Sequence, residues 1–280
     1  MEEKGILYLV ATPIGNLGDM TERATKTLKE VDLIAAEDTR NSIKLLNHFG
    51  IKTPMSSYHE YNKYDKADYL VSEMLNGKNV ALITDAGTPA ISDPGEVLVQ
   101  KCHENGISVT SLPGCCALIS ALILSGLPTR RFCFEAFLPS DKKDRKEILD
   151  ELKSETRTII MYEAPHHLKK TLKDLYETLG DRSITICREL TKKFEDIRPT
   201  TLKESVTFYE ENEPRGEYVL VIEGEKREKL VLKDQEKWTD IPIEAHLEMY
   251  LKDGIDKKEA MRKVAADRGL SRRDVYQALL

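Results

Sequence analysis

Short apolar runs alternate with amphipathic stretches along the first two-thirds of the chain, and this rhythm strongly restricts the possible folds. Runs that suit buried strands begin at Ile6, Val31, Asn79 and Ile107. The stretches between them have helical spacing and end near glycines, where helices commonly stop. Since parallel neighbouring strands need a crossover connection, this order predicts an α/β domain built on a parallel sheet.

The same rhythm divides the chain into four parts. We predict an N-terminal α/β domain over 1–118 and a second α/β domain over 119–225, in which strand-like runs recur. The highly charged stretch 226–240 is expected to be a linker. Residues 241–280 are expected to form a helical tail, because capping residues and glycines there give the helix–glycine–helix pattern of a helix-turn-helix.

Charge and cysteine content exclude several classes of protein. The formal net charge is −6, so the chain has no overall positive surface, and any RNA contact must come from a local basic patch. The five cysteines have no metal-binding spacing, which predicts reduced thiols and no metal site. The longest apolar stretch, 115–124, is too short to span a membrane, and we expect a cytoplasmic protein without a membrane partner.

Three predicted strands end in loops rich in Gly, Pro, Thr and Ser, which begin at Ala11, Asp85 and Leu112. Because the carboxyl ends of parallel strands meet at one edge of a sheet, these loops should lie together and let a ligand approach the backbone closely. The chain lacks the GxxxxGK[ST] phosphate loop, the GxGxxG dinucleotide fingerprint and the HExxH zinc motif. The residues alone therefore predict a pocket for a polar small molecule.

Eight motifs with a recognisable family pattern follow one another along the chain. They are LYLVATPIGNLGDMTERA from Leu7, VDLIAAEDTR from Val31, ALITDAGTPAISDPG from Ala81, SLPGCCALISALILSGLP from Ser111, FLPSDKKDR from Phe137, MYEAPHHL from Met161, RELTKKFE from Arg188 and RGEYVLVIEG from Arg215. In this order they closely resemble the tetrapyrrole methylases, or class III methyltransferases, and within that family the branch that modifies small-subunit ribosomal RNA. The resemblance covers nearly the whole chain up to Gly224 and extends to the helical tail.

The resemblance implies two α/β domains with S-adenosylmethionine bound in the cleft between them, in a homodimer. It also implies 2′-O-methylation of a decoding-centre cytidine in the 16S rRNA of the assembled small ribosomal subunit, with no DNA partner. The positions that match the family's cofactor contacts are Pro13, Ile14, Gly15, Asp85, Ala86, Gly87, Thr88, Ile91, Cys116, Ala117, Tyr162, Glu163 and Gly216.

This chain departs from the family pattern at four of its positions. Cys115 and Cys116 stand where Pro or Ala and then Ser are usual, so the side chains stay small but a hydroxyl is lost. His167 replaces a usual Arg, which removes a fixed cation. Ala136 replaces a usual Gly before the FLP motif.

The AAEDTR motif supplies the candidate catalytic residues Glu37, Asp38 and Arg40. A ribose hydroxyl is a weak nucleophile and gains from late proton removal, so one carboxylate could accept that proton. Arg40 could hold a phosphate. An equally weighted interpretation makes these residues a capping and salt-bridge cluster at the start of the next helix.

Local positive charge is concentrated after the FLP motif, in RELTKKFE and in the tail. The candidate RNA contacts there are Lys142, Lys143, Arg145, Arg188, Lys192, Arg272 and Arg273. Such side chains could hold RNA phosphates, whereas a solvated helical face is the alternative for any one of them.

Two other functions stay open at the level of sequence. A tetrapyrrole (precorrin) or diphthine-type methylase would keep this fold and change the substrate, although it would not need the AAEDTR, YEAPHHL and RELTKKFE motifs or the tail. The other is a non-enzymatic ribosome-binding module, which the replacements at Cys115, Cys116 and His167 bring into consideration.

Overall fold

The first sheet is fully parallel and forms the centre of the N-terminal domain. The computed structural model, which describes residues 3–280, places its strands in the order β3-β2-β4-β1-β5. The strands are β1 (Ile6–Val10), β2 (Leu33–Ala36), β3 (Met55–Ser57), β4 (Val80–Ile83) and β5 (Ser108–Leu112). Every pairing in this sheet is parallel, which confirms the predicted α/β domain.

Helices cover both faces of this sheet. They are α1 (Glu22–Glu30), α2 (Thr39–His48), α3 (Lys63–Leu75) and α4 (Gly95–Glu104). Helices α3 and α4 share an apolar core with one face of the sheet, and α1 and α2 share another core with the opposite face. Strands β2 and β4 are therefore buried at every position. Burial on both sides explains why these strands stand out as continuous apolar runs.

The second sheet is mixed, and its strands lie in the order β6-β7-β10-β8-β9. They are β6 (Phe132–Phe134), β7 (Thr158–Glu163), β8 (Ser183–Arg188), β9 (Asp196–Thr201) and β10 (Tyr218–Ile222). Strands β6 and β7 pair in parallel, and the other pairs are antiparallel. Strand β9 contains Pro199, which a sheet tolerates because β9 lies at its edge.

Helix α5 (Ala117–Leu124) follows the third loop of the first sheet and packs on the second. Its residues Leu118, Ala121 and Leu122 are buried against β7, β8 and β10. The predicted boundary between 118 and 119 therefore falls inside this helix. The other face of the second sheet is covered by α6 (Lys142–Leu152), α7 (Pro165–Leu179) and α8 (Leu202–Glu211).

The charged stretch 226–240 is largely helical, which the expectation of a linker did not include. Helix α9 (Arg227–Glu236) buries none of its residues. Its sequence REKLVLKDQE contains no glycine or proline and is rich in residues of high helix propensity. A polar segment of this kind can be helical without contributing to a core.

The tail is a small helical unit with its own core. It contains α10 (Ile243–Lys252), α11 (Lys257–Arg268) and α12 (Arg272–Ala278). Leu247, Ala260, Val264, Ala265 and Val275 form the core of this unit. The buried His246 ring stacks on Trp238 with 3.6 Å between the ring centroids. Within residues 3–280, no helix has the length and apolar character needed to cross a membrane.

The prediction that Arg145 contacts RNA is corrected by its burial in the second domain. Arg145 shares a face of α6 with the buried Leu149 and Leu152, because residues four and seven positions apart align on a helix. Its Nε donates to Asp174 Oδ2 at 2.7 Å, and its Nη2 donates to Thr171 Oγ1 at 2.8 Å. The Thr171 hydroxyl donates in turn to Glu163. The Arg145 guanidinium therefore makes its hydrogen bonds to other side chains of the protein.

We predict that Arg145→Ala lowers the free energy of unfolding by about 2–3 kcal/mol, because it leaves Asp174 and Thr171 without a partly buried hydrogen-bonding partner. The control is Lys143→Ala on the exposed side of α6, which should change it by less than about 0.5 kcal/mol. Urea unfolding followed by circular dichroism measures both values. Equal unfolding midpoints for the two variants would contradict the structural role of Arg145.

Candidate active site

A cavity of about 580 Å³ lies between the two domains, where strand ends of both sheets meet. The first domain contributes residues that follow β1, β2, β4 and β5, and the second contributes residues at the ends of β7, β8 and β10. Loops after parallel strands converge at one edge because all the strands run the same way. The cavity therefore lies where the sequence predicts a ligand pocket.

Most of the residues predicted to contact the cofactor line this cavity. Those on its wall are Ile14, Asp85, Ala86, Gly87, Thr88, Ile91, Cys116, Ala117, Tyr162 and Glu163. Pro13, Gly15 and Gly216 are not on the wall itself. The three predicted loops are joined by direct contacts, since Thr12 and Gly87 exchange backbone hydrogen bonds and the Thr88 hydroxyl donates to Cys115 O at 2.9 Å.

Gly15 and Gly216 make room for the loop between β8 and β9. A Cβ on Gly15 would lie 2.3 Å from Lys192 Cγ, and one on Gly216 would lie 2.4 Å from Glu189 Cγ. Lys192 Nζ donates to Glu189 Oε1 and to Glu217 Oε2, both at 2.9 Å. The ammonium predicted to contact RNA is thus paired with two carboxylates at the cavity wall.

Several non-glycine residues around the cavity have left-handed backbone conformations. Ala90 and Ser92 lie in the loop after β4, with φ of 66° and 63°, and Glu189 lies in the β8–β9 loop with φ of 51°. Ala136, which precedes the FLP motif, has φ of 49°. Such conformations cost free energy for residues with a Cβ, and they persist where the surrounding structure fixes a functional geometry.

Three carboxylates gather on the first-domain side of the cavity: Glu37, Asp85 and Asp93. Asp93 Oδ1 accepts hydrogen bonds from Ala90 N at 2.9 Å and from Gly95 N at 2.8 Å. Its Oδ2 is buried and has no hydrogen-bond partner among the described residues. Burial raises the pKa of Asp93 and of Asp85, and the charge of Glu37 adds to both rises.

The balance of charge on the cavity wall favours a cationic ligand. The acidic residues on the wall are Glu37, Asp85, Asp93, Glu163, Glu189 and Glu217, and the basic residue is Lys192. A cleft of one sign raises the local concentration of ligands of the opposite sign. The sulfonium and ammonium groups of S-adenosylmethionine fit this wall, and the buried Asp93 Oδ2 has no competing hydrogen-bond partner among the described residues. A nucleoside polyphosphate would be repelled.

Apolar side chains of the second domain form the opposite side of the cavity. Leu190, Val219 and Cys187 lie there beside Tyr162, and the Tyr162 ring meets Phe134 edge-on at 4.9 Å. Burial raises the pKa of Tyr162 to about 12. The phenol is therefore neutral at physiological pH, and this wall suits a flat apolar group.

The AAEDTR residues separate into two groups in the structure. Glu37 lines the cavity, and Thr84 Oγ1 donates to its Oε2 at 2.6 Å. Asp38 is the N-cap of α2 and binds the Arg40 guanidinium through both carboxylate oxygens, at 3.0 and 2.7 Å. Hydrogen bonds from Arg40 lower the pKa of Asp38 to about 2. The capping interpretation therefore describes Asp38 and Arg40, and Glu37 alone faces the cavity.

Several wall residues were not predicted from the sequence, among them Asp93, Phe137 and Tyr218. Asp93 lies within the loop that begins at Asp85, and Phe137 begins the motif FLPSDKKDR, so both were inside recognised motifs. Their position after apolar strands was the signal that could have identified them. Tyr218 had no such signal, because it reads as an ordinary core residue of β10.

We predict that Gly87→Ala weakens S-adenosylmethionine binding by about tenfold, or about 1.4 kcal/mol. The added methyl would lie 3.3 Å from Ile14 Cγ2 at the cavity wall. Gly126→Ala is the matched control, because Gly126 has a similar φ of 71° and no heavy atom within 4 Å of the added methyl. Isothermal calorimetry measures both affinities. The expectation fails if both variants bind the cofactor equally well.

We also predict that cofactor affinity declines on acidification at a pH above the ordinary aspartate pKa of 3.8. A raised carboxyl pKa means that the charged form, which attracts the cation, is lost earlier as pH falls. Calorimetry across this range, with folding checked by circular dichroism, measures the decline. Asp93→Asn should flatten the profile, and an unchanged profile in that variant would show that Asp93 does not act on the ligand.

Comparison with known proteins gives a consistent result. A family model described as Tetrapyrrole (Corrin/Porphyrin) Methylases matches residues 6–205. The chain is 48% identical over 275 residues to a protein of Halalkalibacterium halodurans named ribosomal RNA small subunit methyltransferase I, covering 98% of this chain and 94% of the relative. A protein of the same name from Synechocystis is 49% identical, with 99% and 98% covered.

Among solved structures, diphthine synthase superposes with a TM-score of 0.63 over 79% of this chain and 90% of its own. At 13% sequence identity this likeness concerns the fold alone. The match to the family model covers well over half of the chain, and it agrees with the two-domain architecture and the cavity described above. The chain therefore belongs to the tetrapyrrole (corrin/porphyrin) methylase family and uses S-adenosylmethionine as its cofactor.

Proposed function

We propose that this protein methylates a ribose 2′-hydroxyl of ribosomal RNA in the small subunit, at a decoding-centre cytidine. The relatives that match over nearly the whole chain are named small-subunit rRNA methyltransferases. The structural observation that carries the proposal is the position of Glu37. This carboxylate lies on the wall of the cavity that suits the cofactor, and the Thr84 hydroxyl fixes one of its oxygens.

S-adenosylmethionine, when bound, supplies a methyl group that is already activated on a sulfonium. The protein has to hold the acceptor hydroxyl in line and keep water away. On the first-domain side, Asp85 and Asp93 would hold the positively charged groups of the cofactor. On the opposite side, the apolar wall around Tyr162 excludes water. Glu37 accepts the hydroxyl proton as the new bond forms, since an alcohol is a weak nucleophile without proton removal.

Positive charge for the RNA has to lie outside this acidic cavity. Lys142 and Lys143 are exposed in the first turn of α6, and Arg272 and Arg273 are exposed in the first turn of α12. These side chains lie outside the cavity and are suited to contact RNA phosphates. A 2′-hydroxyl acceptor would also exclude DNA as a substrate, because DNA lacks this group.

The proposal includes a homodimer and a cytoplasmic protein. Helix α5 leaves a row of apolar side chains exposed on the side away from the second sheet, namely Ile119, Ile123 and Leu124. Ile123 is 70% exposed. An apolar patch of this kind is typical of an interface between copies.

We predict that Glu37→Gln lowers kcat for methyl transfer about 10²–10⁴-fold, because the amide cannot accept the proton. Cofactor affinity should change far less, since the amide keeps the hydrogen bond with Thr84. Asp38→Asn is the comparison variant: asparagine still caps α2, and Asp38 is outside the cavity wall. The assay follows labelled methyl from the cofactor into purified small subunits, with mass mapping of the modified ribose.

The substrate assignment would be overturned by label that appears only in a precorrin or a diphthine precursor. A wild-type protein that shows no calorimetric heat and no protection from melting with S-adenosylmethionine would favour a non-enzymatic module. A larger loss in Asp38→Asn than in Glu37→Gln would move the proton-accepting role to Asp38.

A further inference from the structure

A second cavity, of about 300 Å³, lies at the same end of the second sheet as the active cavity. Its basic residues are Arg188, Arg198 and Arg215. Successive residues of a strand point to opposite faces of the sheet. Cys187 lines the active cavity, so Arg188 lies on the other face, beside α8. Tyr218 lines both cavities, so the two cavities lie next to each other on opposite faces of the sheet.

The guanidinium of Arg198 lies over the aromatic ring of Phe208. Its central carbon lies 3.6 Å from the centroid of the Phe208 ring. This stacking leaves the planar edge of the guanidinium available, because the ring occupies only its face. The contact with Asp196 is long, at 3.4 Å, so the ion pair satisfies little of that edge.

Arg188 has a donor that none of the described residues satisfies. Its Nε is buried and has no hydrogen-bond partner among residues 3–280. Its Nη2 donates to Phe194 O at a long 3.3 Å. A buried donor without a partner is costly, and native structures tend to retain one where a ligand or water satisfies it.

The three arginines on this wall outnumber its two acidic residues. Glu213 is paired with Lys169 at 2.8 Å, and Asp196 meets Arg198 only at 3.4 Å. Arg215 lies at the exposed rim, where its backbone N donates to the Tyr218 hydroxyl at 3.0 Å. Two partly buried guanidinium groups, one of which has a buried donor that no described residue satisfies, and a third at the rim favour an oxyanion.

We propose that this second cavity binds a backbone phosphate of the RNA whose ribose enters the active cavity, with Arg188 and Arg198 as positioning residues. The inference rests on the proposed function. The two cavities share Tyr218 and one end of the sheet. A strand that reaches the acidic cavity needs a cationic anchor beside it, because its phosphates are repelled from the cavity itself.

The experiment compares the double variant Arg188→Gln/Arg198→Gln with Lys203→Gln. Lys203 lies on the exposed first turn of α8, near Asp181 and the far end of the sheet. We expect the double variant to bind unmethylated small subunits about 10–100-fold more weakly. The slope of log affinity against log salt concentration should be shallower by the equivalent of about one phosphate contact. KM for subunits should rise while kcat and the calorimetric affinity for S-adenosylmethionine stay near the wild-type values. Lys203→Gln should match the wild type.

Unchanged subunit affinity and salt slope in the double variant would overturn the inference. Inorganic phosphate is the second probe: protection of the wild type from melting, lost in the double variant without any change in subunit binding, would mark a site for a free anion and not for RNA. A wild-type protein that neither binds nor methylates small subunits overturns the proposed function as well. The wild-type arm therefore separates the two failures.

Discussion

The common direction of the strands in the first sheet is the constraint on which the site depends. Because β1, β2 and β4 all run the same way, their loops open at one edge, and that edge faces the ends of β7, β8 and β10. Helix α5 fixes the arrangement, since it leaves the third loop of the first sheet and packs on the second. The cavity is thus a product of topology, to which individual side chains add their chemistry.

Charge is separated over short distances in this protein. The interior of the cleft is acidic, which suits a sulfonium cofactor but opposes a nucleic acid. Exposed cations at α6 and α12, and the arginines behind Tyr218, lie outside that interior. A chain with a net charge of −6 can in this way attract a cation to one place and a polyanion to another. The overall charge is a poor guide to the partners of such a protein.

Much of the fold and the cofactor wall could be predicted from the sequence. Continuous apolar strands such as β2 and β4, followed by small-residue loops, have a strong local signal. Strand β9 had no such signal, because Pro199 and its charged neighbours break the pattern, and β3 is three residues long.

Side-chain roles were harder to predict than backbone positions. Arg145 is like its exposed neighbours in the sequence, and only the packing of α6 on α7 shows that it is buried. Asp38 and Glu37 are adjacent in the sequence, but one caps a helix and the other faces a cavity. Such differences depend on where each side chain points in three dimensions.

The hydrogen bonds that run from Glu163 through Thr171 to Arg145 and Asp174 have a consequence for the geometry of the cleft. One end is a carboxylate on the wall of the cleft, and the other is on the outer helices of the second domain. A replacement of Arg145 on α6, remote from any ligand, would remove the donor to the Thr171 hydroxyl, which is itself the partner of Glu163. The packing of the outer helices and the geometry of the cleft wall are thus coupled through these side chains.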